Sequence, residues 1–284
     1  MSPREVYEPG GLAISAFGEN LGGMDARRGR RPAVAVVAVT ALLAAAVVIV
    51  AAGRANRRVI LYGDSLAFEA RDVFALSLQR GNDVEVVDRT YGGTAICDRL
   101  DRMRQDLHDL QPSAVVLEFV GNNVTPCMRG PTGPLTGEDL LRKYRDDART
   151  ATEIFAGAGV RVYWMGAPST ATTEEPAFAG VRHGYEAESG RLTFATPPLP
   201  RVRYVDAGRA VLDGGRFAAT LPCLPSEGAG EGCVDGHIPV RALDGLHFCP
   251  VRTGPGDDRC PIYSGGAVRF GVAMARPIRR DLGL

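Results

Sequence analysis

Serine, histidine and aspartate occur in two short stretches whose residue types could do chemistry together. Gly63-Asp64-Ser65-Leu66 follows an apolar run at 59–62, and Asp244-Gly245-Leu246-His247-Phe248-Cys249 precedes the last amphipathic stretch of the chain. A serine at the end of a strand and the start of a helix is an ordinary N-cap. It is also well placed to be a nucleophile, provided a base removes its proton as attack proceeds. Imidazole titrates close enough to neutrality for that task. Asp244 and His247 are three residues apart, so a single turn can face both towards a serine. The carboxylate would then hold the imidazole tautomer and stabilise its charged form.

Two further stretches lie between them, TYGGTAIC at 90–97 and EFVGNNVTPC at 118–127. With GDSL near the start and D-x-x-H near the end, these blocks resemble the four signature blocks of the SGNH (GDSL) hydrolase family. The resemblance is local to the blocks, whose order and placement span most of 59–280. It implies a three-layer α/β/α fold with a flavodoxin-like, mostly parallel sheet, and hydrolysis or transfer of acyl esters. It makes Ser65 the nucleophile, His247 the base and Asp244 its orienting carboxylate. It also implies an oxyanion hole of the Ser65 N–H, a glycine N–H and an asparagine amide. Glycine suits the second donor because the backbone must approach the substrate closely. Gly92 is the preferred glycine, because Gly-x-Thr then matches the second block; Gly93 is the alternative. The third block departs from the usual G-x-N-D. Asn122 is preferred as the donor because it keeps the polar Asn123 beside it; Asn123, followed by Val124, is the alternative.

Six cysteines, Cys97, Cys127, Cys223, Cys233, Cys249 and Cys260, form an even set with no C-x-x-C pair, which fits disulfides in an oxidising compartment. If the glycine and asparagine loops flank one oxyanion hole, the cysteines that follow them are neighbours. The resemblance therefore suggests Cys97–Cys127, with Cys249–Cys260 beside the histidine and Cys223–Cys233 remaining. No metal site is expected: His237, His247 and Cys249 match no usual zinc spacing. His108, His183 and His237 read as surface or loop residues. The absence of a P-loop or G-x-G-x-x-G gives no sign of a nucleotide cofactor, and none of any kind is expected. Ala67 stands where the second glycine of G-x-S-x-G would be, which argues against the common α/β-hydrolase elbow.

The elements that must position these residues alternate. Strands are predicted at 59–62, 84–87, 114–120, 160–165 and 202–205. Helices are predicted at 65–79, 98–110, 138–156 and about 265–280, the last interrupted or kinked near Pro277. This order predicts a mostly parallel sheet with its working loops at the carboxyl ends of the strands. Residues 166–201 and 207–262 show no clear period and read as long loops.

The chain balances 33 Lys and Arg against 33 Asp and Glu, which gives no reason to expect a nucleic-acid partner. Residues 1–32 read as a disordered cytoplasmic tail. Residues 33–52 carry Thr40 as their one polar side chain and would span roughly 30 Å as a helix, the thickness of a bilayer core. The expected organisation is that tail, one transmembrane helix at 33–52, and an SGNH domain at 57–284 outside the cytoplasm. The residues also resemble SGNH domains attached to membrane acyltransferases of the cell envelope. That implies a membrane-anchored serine esterase acting on O-acyl esters of envelope glycans or lipids. Acyl transfer to a sugar hydroxyl and a silent envelope-binding domain are the alternatives, and oligomeric state is left open.

Overall fold

The computed structural model describes residues 57–193, 201–249 and 264–284. The expected tail at 1–32, the apolar segment at 33–52 and Cys260 lie outside the described residues. Among the described residues, no helix is long and apolar enough to cross a membrane.

The centre is a five-stranded sheet of β1 (Arg58–Gly63), β2 (Glu85–Thr90), β3 (Ala114–Glu118), β4 (Arg161–Met165) and β5 (Val202–Val205), in the order β2-β1-β3-β4-β5. Every neighbouring pair is parallel. The helices are α1 (Ser65–Gln79), α2 (Leu100–Leu110), α3 (Gly137–Ala156), α4 (Glu175–Thr193) and α5 (Gly265–Leu282). The result is the expected three-layer α/β/α arrangement with flavodoxin-like strand order.

The layers follow from side-chain alternation along strands buried on both faces. In β1, Val59 and Leu61 join one core and Ile60 and Tyr62 the other. The first core is closed by α1 and α5, which contribute Leu66, Ala70, Phe74 and Leu78, and Phe270, Met274 and Ile278. Their spacing of three or four residues makes one apolar stripe per helix. The second core is closed by α2, α3 and α4 through Met103, Tyr144, Phe155, Val181 and Tyr185. Trp164 of β4 stacks on Tyr185 with ring centroids 4.4 Å apart and donates its indole N–H to Thr152 Oγ1 at 2.9 Å.

Several expectations need correction. The stretch 166–201 is not a continuous loop, because α4 occupies much of it. Its buried residues Phe178, Val181, Tyr185 and Glu188 do keep helical spacing, but three interspersed glycines and the polar Glu188 obscure the period. One of these glycines, Gly180, sits close against α3: a Cβ there would lie 2.7 Å from Leu141 Cδ2. α5 is not interrupted at Pro277 but runs on to Leu282. Its buried face, with Phe270, Met274, Ala275 and Ile278, outweighs the proline's local cost of about 3 kcal/mol. The strand expected at 114–120 ends at Glu118, and the helix expected from 98 starts at Leu100 after a tight turn at Ile96–Asp98. Within 207–249, short antiparallel pairs give order, among them Thr220–Pro222 with His237–Pro239. The Cys223–Cys233 disulfide, with Cα atoms 6.0 Å apart, closes the loop between those two strands.

Candidate active site

The site forms where β1, β2 and β3 end. Ser65 is the first residue of α1, and Asp64 caps that helix by accepting the Leu66 N–H at 3.2 Å. The first N–H groups of a helix have no acceptor within it, so this end can receive a developing negative charge. Gly63 lets strand and helix meet without clash. A Cβ there would lie 2.4 Å from Ala67 Cβ and 2.8 Å from the Glu118 carbonyl. Ser65 itself is half-buried.

The loop after β2 brings Gly92 beside the serine: a Cβ on Gly92 would lie 3.8 Å from Ser65 Cβ. Gly93, with φ at +75°, takes the left-handed conformation that closes the turn and faces open space. The two asparagines diverge. Asn122 turns towards the serine block, donating to Asp64 Oδ2 at 2.9 Å and to the Thr94 carbonyl at 3.2 Å. Asn123 turns away and donates to the Leu135 carbonyl at 2.9 Å. Two buried tyrosines hold the asparagine loop from below, Tyr144 donating to the Asn122 carbonyl at 2.8 Å and Tyr185 to the Phe119 carbonyl at 3.1 Å. The Cys97–Cys127 disulfide joins the turns that follow the glycine and asparagine loops, with Cα atoms 6.2 Å apart.

Asp244 and His247 form a compact turn. Asp244 Oδ1 accepts the N–H groups of Leu246 (2.9 Å) and His247 (3.0 Å), and Oδ2 lies 2.6 Å from His247 Nδ1. Partial burial opposes ionisation of Asp244, but the bonds from the His247 ring and the two backbone N–H groups outweigh it and hold its carboxyl below the ordinary value. The turn is docked on α1: the N–H groups of Phe248 (2.7 Å) and Cys249 (3.1 Å) both donate to Glu69 Oε2. His247 also lies close enough to Asp64 for its charge to favour Asp64's ionised form. The structure thus brings Ser65, Gly92, Asn122, Asp244 and His247 to one end of the sheet, and leaves Gly93 and Asn123 turned aside. His108, His183 and His237 are exposed elsewhere. Cys249 is disulfide-bonded, and Cys260, its expected partner, lies outside the described residues.

Beneath the serine lies a feature that the motifs do not announce. Asp64 and Glu118 are both fully buried. Asp64 accepts from the Val120 N–H (2.7 Å), Leu66 N–H and Asn122 amide, whereas Glu118 accepts from the Ala67 N–H at 3.1 Å and its Oε1 meets no donor among the described residues. Burial pushes the Asp64 carboxyl up to about 6, against the opposing pull of its N–H donors. Burial and then the neighbouring Asp64 charge push Glu118 well above the ordinary carboxylate range. The pair therefore shares one charge: Asp64, with more donors, carries it, and Glu118 keeps its proton and donates to Asp64. Glu118 reads in sequence as a polar end to an apolar strand; a carboxylate closing the run Ala-Val-Val-Leu-Glu was the available signal. For Glu69 the signal was its place four residues, one helical turn, after Ser65.

No protein-family model and no curated protein matches the chain. Several solved structures are similar to it. The lipase/acylhydrolase from Enterococcus faecalis is 16% identical, with 79% of this chain and 96% of that chain covered and a TM-score of 0.49. The C-terminal catalytic domain of peptidoglycan O-acetyltransferase A from Streptococcus pneumoniae is 16% identical over 79% of this chain and 94% of that one, with a TM-score of 0.47. An acetylxylan esterase from Geobacillus stearothermophilus is 15% identical over 80% and 94%, with a TM-score of 0.48. In its motif blocks and their order along the chain, the chain resembles the SGNH (GDSL) hydrolase family.

Proposed function

We propose that the protein is a serine esterase in which Ser65, His247 and Asp244 form the triad and Ser65, Gly92 and Asn122 supply the oxyanion hole. The observation that carries this reading is the convergence of two distant segments. An Asp244–His247 pair with a 2.6 Å contact is docked on the helix that begins with Ser65. In the reaction Ser65 Oγ attacks the acyl carbon while its proton passes to the His247 nitrogen remote from Asp244. The carbonyl oxygen, now negative, accepts from the Ser65 and Gly92 N–H groups and from the Asn122 amide, which gives up its bond to the Thr94 carbonyl to do so. Collapse breaks the ester C–O bond, and His247 returns the proton to the departing alcohol. Water then repeats the sequence on the acyl-serine.

In the finer reading, an apolar anchor at 33–52 holds the domain outside the cytoplasm, where it removes O-acyl groups from envelope glycans or lipids. The length of that segment supports an anchor. Disulfides at Cys97–Cys127 and Cys223–Cys233 support an oxidising compartment. The test is release of p-nitrophenol from a short-chain ester by wild type and Ser65→Ala, with the acyl-serine sought by mass spectrometry. Serine-independent release, or none, overturns the esterase and leaves a binding domain. Acylated sugar as product when envelope oligosaccharides are added turns the reading to transferase.

A further inference from the structure

The spacing of nucleophile and base across the cleft depends on what fastens the histidine turn to the serine helix. Ser65 and Glu69 are four residues apart on α1 and so lie on one face, a turn apart. Glu69 is 8% exposed. Its Oε2 accepts from two consecutive backbone amides, Phe248 at 2.7 Å and Cys249 at 3.1 Å, which directly follow His247. A carboxylate that takes two N–H groups makes charge-assisted bonds of the strong kind. The restraint is carried inward by Phe248, which is fully buried and packs on Phe270 of α5 with ring centroids 5.2 Å apart. Asp244 grips the imidazole and the amide of His247 from one side of the turn; Glu69 grips the two residues on the other side.

We propose that Glu69 is a positioning residue: it clamps the His247 turn to the helix that carries Ser65, so that a single helical turn sets the distance between nucleophile and base. This rests on the triad reading above. The chemistry needs the imidazole within hydrogen-bond reach of the serine hydroxyl, and a displacement of about 1 Å can cost on the order of 10²-fold in rate. Asp244 by itself fixes the ring relative to its own turn, not the turn relative to α1. The bond that does the latter comes from the nucleophile's own helix.

The test compares Glu69→Leu, Glu69→Gln and Glu69→Asp with wild type and Ser65→Ala, using p-nitrophenyl acetate and thermal unfolding of each variant. Glutamine keeps an oxygen that can accept both amides; leucine removes it at similar volume; aspartate draws it back by one carbon. The expected order of kcat is wild type, then Gln within about tenfold, then Leu lower by about 10²-fold, with KM within twofold throughout. A role in folding alone would lower Tm without this split between kcat and KM and without recovery by glutamine. Should the leucine variant not fold, Glu69→Asp decides, with a kcat loss of tenfold or more expected at near-native Tm. Wild-type kcat in the leucine variant, or in the aspartate variant where leucine does not fold, overturns the clamp while the triad stands. Turnover that survives Ser65→Ala overturns the triad itself, and the clamp with it.

Discussion

Replacing Glu118 by glutamine tests whether the fold holds a proton beneath the nucleophile. Glu118 and glutamine have nearly the same shape. The amide oxygen can accept the Ala67 N–H as Glu118 Oε2 does, and the amide N–H₂ can donate to Asp64 as a protonated Glu118 would. What changes is titration. In the unfolded chain Glu118 loses its proton above its ordinary value of 4.5, while in the folded protein it keeps it to well above that. Between these limits the folded state holds one more proton than the unfolded state. Stability from this group is full below 4.5 and falls as pH rises, by about 1.4 kcal/mol per pH unit. The variant has no such slope. Asp64, raised to about 6, has the same sign, its stabilisation being lost as pH rises through that value, but it is present in both proteins and cancels in the difference. Urea unfolding at pH 5, 6 and 7 is therefore expected to show the variant gaining on wild type as pH rises. An unpaired glutamine N–H costs about 1–3 kcal/mol at every pH, which shifts the curve without tilting it. Parallel stability profiles for the two proteins would refute the shared-proton account and leave Glu118 ionised in the folded state.

The two described disulfides should differ in worth. Cys97–Cys127 closes a separation of 30 residues and Cys223–Cys233 one of 10. Chain entropy alone then gives about 3.6 and about 2.7 kcal/mol for their removal as double serine variants, and denaturant titration yielding the opposite order contradicts that origin. Asn122→Ala is expected to lower kcat by about 10²–10³-fold with the short-chain ester. Asn123→Ala should leave kcat alone and cost about 1 kcal/mol of stability through its lost bond to Leu135. Equal kinetic losses at the two positions would remove the assignment of Asn122.

Much of this molecule is legible in local pattern. The apolar runs that become β1 to β5, the stripe of α1 and the turn made by Asp244 and His247 depend on residues within a few positions of each other, whose conformational preferences act before any distant contact forms. The four motif blocks and the family they resemble carried the functional reading, since triads are recognised by role and not by position. α4 escaped because its glycines, of which Gly180 packs against α3, dilute the apolar period that marks a helix. α5 was expected to be interrupted or kinked near Pro277; burial of its apolar face keeps it unbroken to Leu282.

The sequence by itself determined the alternating β and α elements, the parallel class of the sheet and the residue types brought to the cleft. Tertiary structure alone decided that Gly92 lies beside Ser65 and Asn122 turns to Asp64, while Gly93 and Asn123 turn aside. It also set Glu118 under Asp64 and Glu69 under the residues that follow His247. These contacts join groups 27 to 180 positions apart. At such separations no helical or strand period relates one residue to another. Burial in a low-dielectric interior, which makes a carboxyl group keep its proton or seek N–H donors, exists only once the layers have closed over it.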